Sequence, residues 1–107
     1  MTVPIVRKWQ ATIARGDIDA WVGTFRDRAF PGMRAVEGFR DVTFLAEREA
    51  DPCRVTVLTT WDDLDAVRRY AGTDPARTVM PDFMAPFFPD YDAQATFHDQ
   101  VLVETKA

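Results

Sequence analysis

Thr59-Thr60-Trp61-Asp62-Asp63-Leu64-Asp65-Ala66-Val67-Arg68-Arg69-Tyr70-Ala71-Gly72 decides the reading of this chain. A β-type run ends at Trp61 and gives way within one residue to an acid-capped helix closed by glycine. Thr and Val suit pleated backbone because their branched Cβ restricts χ1. Asp62 is expected to cap the helix, its carboxylate accepting free backbone N–H groups at the positive end of the dipole, with Asp63 and Asp65 in the same first turn. Leu64, Val67, Tyr70 and Ala71 form the helix's buried stripe. Gly72 stands where a C-terminal stop is favoured.

The flanking segments extend the pattern. Residues 3–13 alternate in part, with Ile5, Trp9 and Ile13 set against Lys8, Gln10 and Thr12, as in a strand whose two faces meet different surroundings. After Gly16, Asp17 can cap a helix whose stripe is Ile18, Trp21, Val22, Phe25 and Ala29, and Pro31-Gly32 is expected to end it. Residues 39–49 and 53–61 are β-rich and joined through Ala50-Asp51-Pro52, the composition of a hairpin turn. Four prolines, Pro75, Pro81, Pro86 and Pro89, limit residues 73–89 to short helical turns. Residues 92–104 read as a closing strand, with Ala95, Phe97, Val101 and Val103 on one side and Thr96, His98, Gln100 and Leu102 on the other.

The resulting βαββαβ order predicts an α+β, ferredoxin-like sandwich, a single domain over residues 1–107 with both helices on one side of an antiparallel sheet. The other sheet face then needs a partner. Stacking two such faces would make a dimeric α/β barrel, with a pocket between sheet and proline-rich segment.

Composition narrows the function classes. A chain of 107 residues that is 47% hydrophobic and 12% aromatic carries a heavy apolar load for its size, part of it expected at a subunit interface. A net charge of -4 with arginines scattered along the chain argues against nucleic acid or an anionic membrane as partner. With no apolar run near the roughly 18 residues of a membrane span, and no secretory leader pattern, a cytosolic (cytoplasmic) location is expected. Cys53 is the one cysteine and His98 the one histidine, so no internal disulfide and no Cys/His zinc set can form, and Cys53, after Asp51-Pro52, reads as an incidental thiol in a turn. Absence of serine removes a Ser-His-Asp hydrolase, and no phosphate loop or dinucleotide fingerprint occurs; no metal and no cofactor are expected. The carboxylates Asp62, Asp63, Asp65, Asp90 and Asp92 read as caps and turns.

The candidate chemistry is sparse. His98 can take a proton from a phenol near neutral pH if it faces a pocket, or can be a hydrogen-bonded structural residue. Arg7 lies on the same strand face as Trp9 and can hold an enolate or carboxylate, or pair with an acid across a dimer. Trp9 suits an aromatic wall on the open sheet face, or packing. Trp61 either seals a cavity mouth or packs under the helix, and Tyr70 reads as core. Met80, Phe83, Met84, Phe87 and Phe88 suit a lid over an apolar ligand, or a dimer contact.

Four motifs resemble the antibiotic biosynthesis monooxygenase superfamily over nearly the whole chain: Val6-Arg7-Lys8-Trp9; Met33-Arg34-Ala35-Val36-Glu37-Gly38-Phe39-Arg40; residues 58–67 with Tyr70-Ala71-Gly72; and His98. The resemblance implies a homodimer with one cavity per subunit and, for some members, cofactor-independent oxygenation of polycyclic phenols or breakdown of haem. Active members use an Asn beside a Trp; this chain has no Asn, leaving Gln10 or Gln100 to supply an amide, and Asp99 and Gln100 stand where Tyr and Glu usually follow the strand-four His. The expected site is therefore His98 and Arg7 as catalytic groups, with Trp9, Trp61, Phe83, Phe87 and Gln100 against a small hydrophobic or aromatic molecule. Cofactor-free monooxygenation, a cofactor-free isomerase or cyclase, and a noncatalytic binding dimer all fit this set.

Overall fold

Alternation along β1 (Ile5–Ile13) sorts its side chains: Arg7, Trp9, Ala11 and Ile13 are buried, while Val6, Lys8, Gln10 and Thr12 on the other face are only half-covered. The structure, a computed structural model, describes residues 3–106. A helical segment follows, made of a 3-10 turn (Arg15–Asp17), α1 (Ile18–Thr24), a π-helical turn (Phe25–Ala29) and α2 (Phe30–Arg34). Then come β2 (Phe39–Glu47), β3 (Cys53–Trp61), α3 (Leu64–Ala71), a 3-10 turn (Ala85–Phe87), β4 (Asp90–Tyr91) and β5 (Thr96–Asp99).

β1 is central. It pairs antiparallel with β3 from Ile5↔Trp61 to Ile13↔Cys53, and β2 folds back on β3 as a hairpin. The sheet order is β2-β3-β1-β4, with β5 also beside β1, which is the ferredoxin-like α+β arrangement. Trp9, Val55, Trp21, Phe25 and Val67 join sheet and helices in one core, so the helices cover the face carrying Arg7 and Trp9. Of the two places open to Trp9, a wall on the open sheet face or packing, it takes the second, under the helices.

The end of the first helix and the cap of α3 differ from the sequence expectation. Pro31 sits in the first turn of α2 and the helical path continues to Arg34, since a residue without an N–H loses nothing where the π turn has already broken the bonding pattern. The cap of α3 is Asp63, whose carboxylate accepts from the Ala66 N–H at 2.9 Å, while Asp62 is drawn aside to the Arg40 Nε–H at 2.6 Å. Cys53 opens β3, fully buried, its thiol donating to the Ala50 carbonyl at 3.0 Å.

The closing strand is shorter than expected and split. β4 pairs with Ala11 and Thr12, β5 with residues 5–8, and between them the chain detours: Ala95 N–H donates to the Ala76 carbonyl at 2.6 Å and Thr78 N–H to the Ala93 carbonyl at 3.1 Å. The detour docks the proline-rich segment. The Gln100 N–H reaches the Pro4 carbonyl at 2.9 Å, and Val101, Leu102 and Val103 after it stand exposed.

Gly38 links hairpin to helix. Its φ is +93°, and an added Cβ would come within 2.6 Å of the Ala66 Cβ. Its carbonyl also accepts the Asp62 N–H at 2.8 Å, so the turn cannot back away freely. Gly38→Ala is expected to lower unfolding free energy by about 1–3 kcal/mol, read from urea midpoints, whereas Gly16→Ala, where a Cβ meets nothing within 4 Å, should change it far less.

Candidate functional site

Arg7, two residues before Trp9 on the covered face, is 6% exposed and yet charged. Its Nε–H donates to the Pro75 carbonyl at 3.1 Å and its Nη2–H to the Arg77 carbonyl at 2.6 Å. Neither ion pair found among the described residues involves it, as those join Arg40 to Asp62 and Arg68 to Asp65. Carbonyl dipoles hold the guanidinium without neutralising it. Burial lowers its proton affinity, an effect partly opposed by the neighbouring Tyr70.

Trp9 is fixed by its indole N–H, which donates to the Asp92 carbonyl at 2.9 Å and to Thr78 Oγ1 at 3.1 Å. The Thr78 hydroxyl itself donates to the same Asp92 carbonyl. Around this anchor the rings interlock. Trp9 meets Phe88 edge-on at 5.3 Å, Trp21 meets Phe88 at 5.5 Å, and Trp21 stacks on Phe44 at 4.1 Å with only 4° between planes.

These residues enclose a cavity of about 80 Å³ lined by Arg7, Trp9, Trp21, Phe25, Phe44, Tyr70, Thr78, Met80, Met84 and Phe88, with Ala29, Met33, Val57, Val79 and Pro81 between them. Most of this wall is carbon. Its polar groups are the Arg7 guanidinium, the Tyr70 phenol and the Thr78 hydroxyl. Burial raises the Tyr70 phenol above its ordinary value, although Arg7 pulls the other way, so Tyr70 is a hydrogen-bond donor across the working pH range. The lining thus offers carbon walls with one cation and one phenolic donor set into them.

Of the residues chosen from sequence, Arg7 and Trp9 meet in this cavity. His98 pairs with Val6 in register, stands exposed on the helix-free face, and has Thr96 Oγ1 3.0 Å from its Nε2. Trp61 is fully buried, with its indole N–H on Thr59 Oγ1 at 2.8 Å and its ring between Phe39 and Tyr70. Phe83 lies beneath the Arg28 guanidinium at 4.2 Å, Phe87 flanks Phe88 from outside, and Gln100 serves through its backbone. The proline-rich segment turns Met80, Met84 and Phe88 inward, a spacing of four that was visible in sequence and separates them from Phe83 and Phe87. Tyr70 was missed because its place in a helix stripe reads as core, yet a tyrosine so placed still has to find an outlet for its hydroxyl. No group of three His, Cys, Asp or Glu side chains is arranged to hold a metal among the described residues, nor is any of their helices long and apolar enough to cross a membrane.

Fold and cavity together define a ferredoxin-like α+β protein with an apolar pocket built around one buried cation. The chain belongs to the antibiotic biosynthesis monooxygenase family, whose model matches residues 4–82. Solved structures share the fold at low identity. A Bacillus cereus protein assigned as an antibiotic biosynthesis monooxygenase is 14% identical, with 97% of this chain and 99% of that one covered at a TM-score of 0.66. The ActVA-Orf6 monooxygenase of Streptomyces coelicolor, in complex with nanaomycin D, is 17% identical over 98% and 94% of the two chains, TM-score 0.65. SnoaB, a cofactor-independent oxygenase of Streptomyces nogalater, is 17% identical over 99% and 100%, TM-score 0.56. No curated protein matches in sequence.

The raised Tyr70 pKa has a thermodynamic sign. As pH rises, the unfolded chain releases the phenolic proton first, so this residue's contribution to stability is complete below about pH 10 and is lost as pH climbs through the higher folded value. Urea midpoints at pH 9 and pH 11 should therefore fall more steeply for the wild type than for Tyr70→Phe.

Proposed function

We propose that this cavity binds a small aromatic molecule with an ionisable hydroxyl and oxygenates it without a cofactor. The observation that carries this reading is the buried Arg7, a cation held by carbonyls in an otherwise apolar, ring-lined pocket. A phenol or enol whose oxygen meets that charge ionises more readily, and ionisation places electron density on the ring carbon that reacts. Trp9, Trp21 and Phe88 hold the ring plane; Met80 and Met84 adapt to its outline.

Electron balance follows from the substrate itself. The ionising hydroxyl releases its proton to water, the carbanion passes one electron to O₂, the radical pair joins as a carbon-bound peroxide anion that takes a proton back from water, and Tyr70 donates a hydrogen bond to that anion. Loss of water then leaves a carbonyl. A ring CH₂ plus O₂ becomes C=O plus H₂O, the substrate supplying all four electrons, so no external reductant is required. The family and the fold shared with SnoaB and the ActVA-Orf6 monooxygenase support this reading.

His98 has no step in this mechanism, because it lies on the helix-free face, away from the cavity. The test is oxygen uptake by the purified protein with an anthrone-type substrate. Arg7→Met should lower the protein-dependent rate by at least about a hundredfold, the scale of a lost charge-stabilising contact; Tyr70→Phe should lower it less, and His98→Ala should leave it within about twofold. Uptake no faster than protein-free autoxidation would sink the proposal for this substrate, and product formed equally well without oxygen would replace it with the isomerase reading.

A further inference from the structure

The cavity that holds Arg7 measures about 80 Å³, whereas a dry apolar cavity that admits one benzene ring measures about 150 Å³. A ring-bearing molecule therefore has to extend past one of its walls. Two outer spaces adjoin it. A groove of about 300 Å³ is parted from the cavity by Phe25 and Phe44. A recess of about 500 Å³, lined on its outer side by Ala71, Arg77, Tyr91 and Ala93, is parted from it by Tyr70, Thr78, Val79 and Met80.

The partition residues differ in how firmly they are held. Phe44 stacks on Trp21 at 4.1 Å, and Phe25 packs on Phe44 at 4.7 Å and on Phe30 at 5.9 Å, so interlocked rings close the groove side. Toward the recess, the Tyr70 ring lies 5.3 Å from that of Trp61, and the Thr78 hydroxyl donates to the Asp92 carbonyl while receiving the Trp9 indole N–H. Val79 is β-branched and stiff at χ1. Met80 is half-buried and carries the one flexible, unbranched side chain of the set. Its backbone, placed before Pro81, is biased to extended geometry, so its freedom resides in the side chain.

We infer that Met80 is the gate of this site: its side chain swings aside to join cavity and recess, and a fused-ring ligand lies across both. The ionisable oxygen points toward Arg7 and the outer ring lies over Tyr91. That ring, 41% exposed, tilts against Trp9 with centroids 6.0 Å apart, so the aromatic wall of the cavity continues into the recess. The contacts that the thioether gives up on swinging are replaced by contacts with the ligand ring. Met80 thus sets both the size of molecule the site accepts and the rate at which it enters, a role that rests on the reading of the cavity as a ring-binding site.

Quenching of tryptophan fluorescence by a dihydroxyanthraquinone, a three-ring probe, tests this without turnover, since Trp9 and Trp21 line the cavity. Ala93→Trp fills the recess and Val42→Trp fills the groove, and neither residue lines the cavity itself. With circular dichroism confirming that each variant is folded, Ala93→Trp should raise the dissociation constant at least about tenfold and Val42→Trp should leave it within about twofold. In stopped flow, Met80→Ala should speed association at least about fivefold, and Met80→Ile, close in volume but stiff at χ1, should slow it. An unchanged constant in Ala93→Trp, a tenfold loss in Val42→Trp instead, or unchanged association in Met80→Ala would each overturn the gate; the Met80 variants decide should a filled variant fail to fold. Absence of quenching in the wild type would overturn the gate together with the ring-binding reading, whereas wild-type binding that ignores the recess would overturn the gate alone.

Discussion

Two side chains of β1, Arg7 and Trp9, tie the proline-rich segment to the sheet, and the cavity exists because of that tie. Their N–H groups donate to the carbonyls of Pro75, Arg77 and Asp92 and to the Thr78 hydroxyl. A segment with four prolines in residues 73–89 cannot satisfy its own carbonyls through a regular helix or ladder, so the donors must come from elsewhere. Because the two residues are separated by one position, both fall on the covered face of the strand. The same contacts that hold the cover shape the pocket beneath it.

That arrangement links stability to chemistry. A guanidinium buried against carbonyls, with neither ion pair among the described residues reaching it, keeps its charge unneutralised while meeting part of its hydrogen-bonding demand. The surrounding rings lower the polarity around that charge and so strengthen its field. The fourth strand is interrupted at the point where Asp92 turns its carbonyl toward Trp9, so the irregularity in the sheet is part of the site.

Much of the fold was legible because local rules and tertiary packing agree. The Trp61-to-Gly72 junction, the alternation of β1 and the hairpin between β2 and β3 each have a local physical cause, and each formed as expected. Misplaced boundaries occurred where two local solutions compete: Asp62 and Asp63 are both able caps, and Arg40, distant in sequence, draws Asp62 away. Residues 101–104 have strand composition, but composition does not say whether a neighbour is present.

For the site, the sequence by itself determined the chemical inventory and one pairing, Arg7 with Trp9 on a single strand face, because strand periodicity is a local property. Only the tertiary structure decided which face of the sheet the helices cover, and that choice admitted Arg7 and Trp9 to the cavity and left His98 outside it. It likewise brought in Tyr70 from α3 and selected Met80, Met84 and Phe88 over Phe83 and Phe87, since the inward side of an irregular segment is set by the surface it docks on. Alternation says that two residues share a face; it does not say what that face meets.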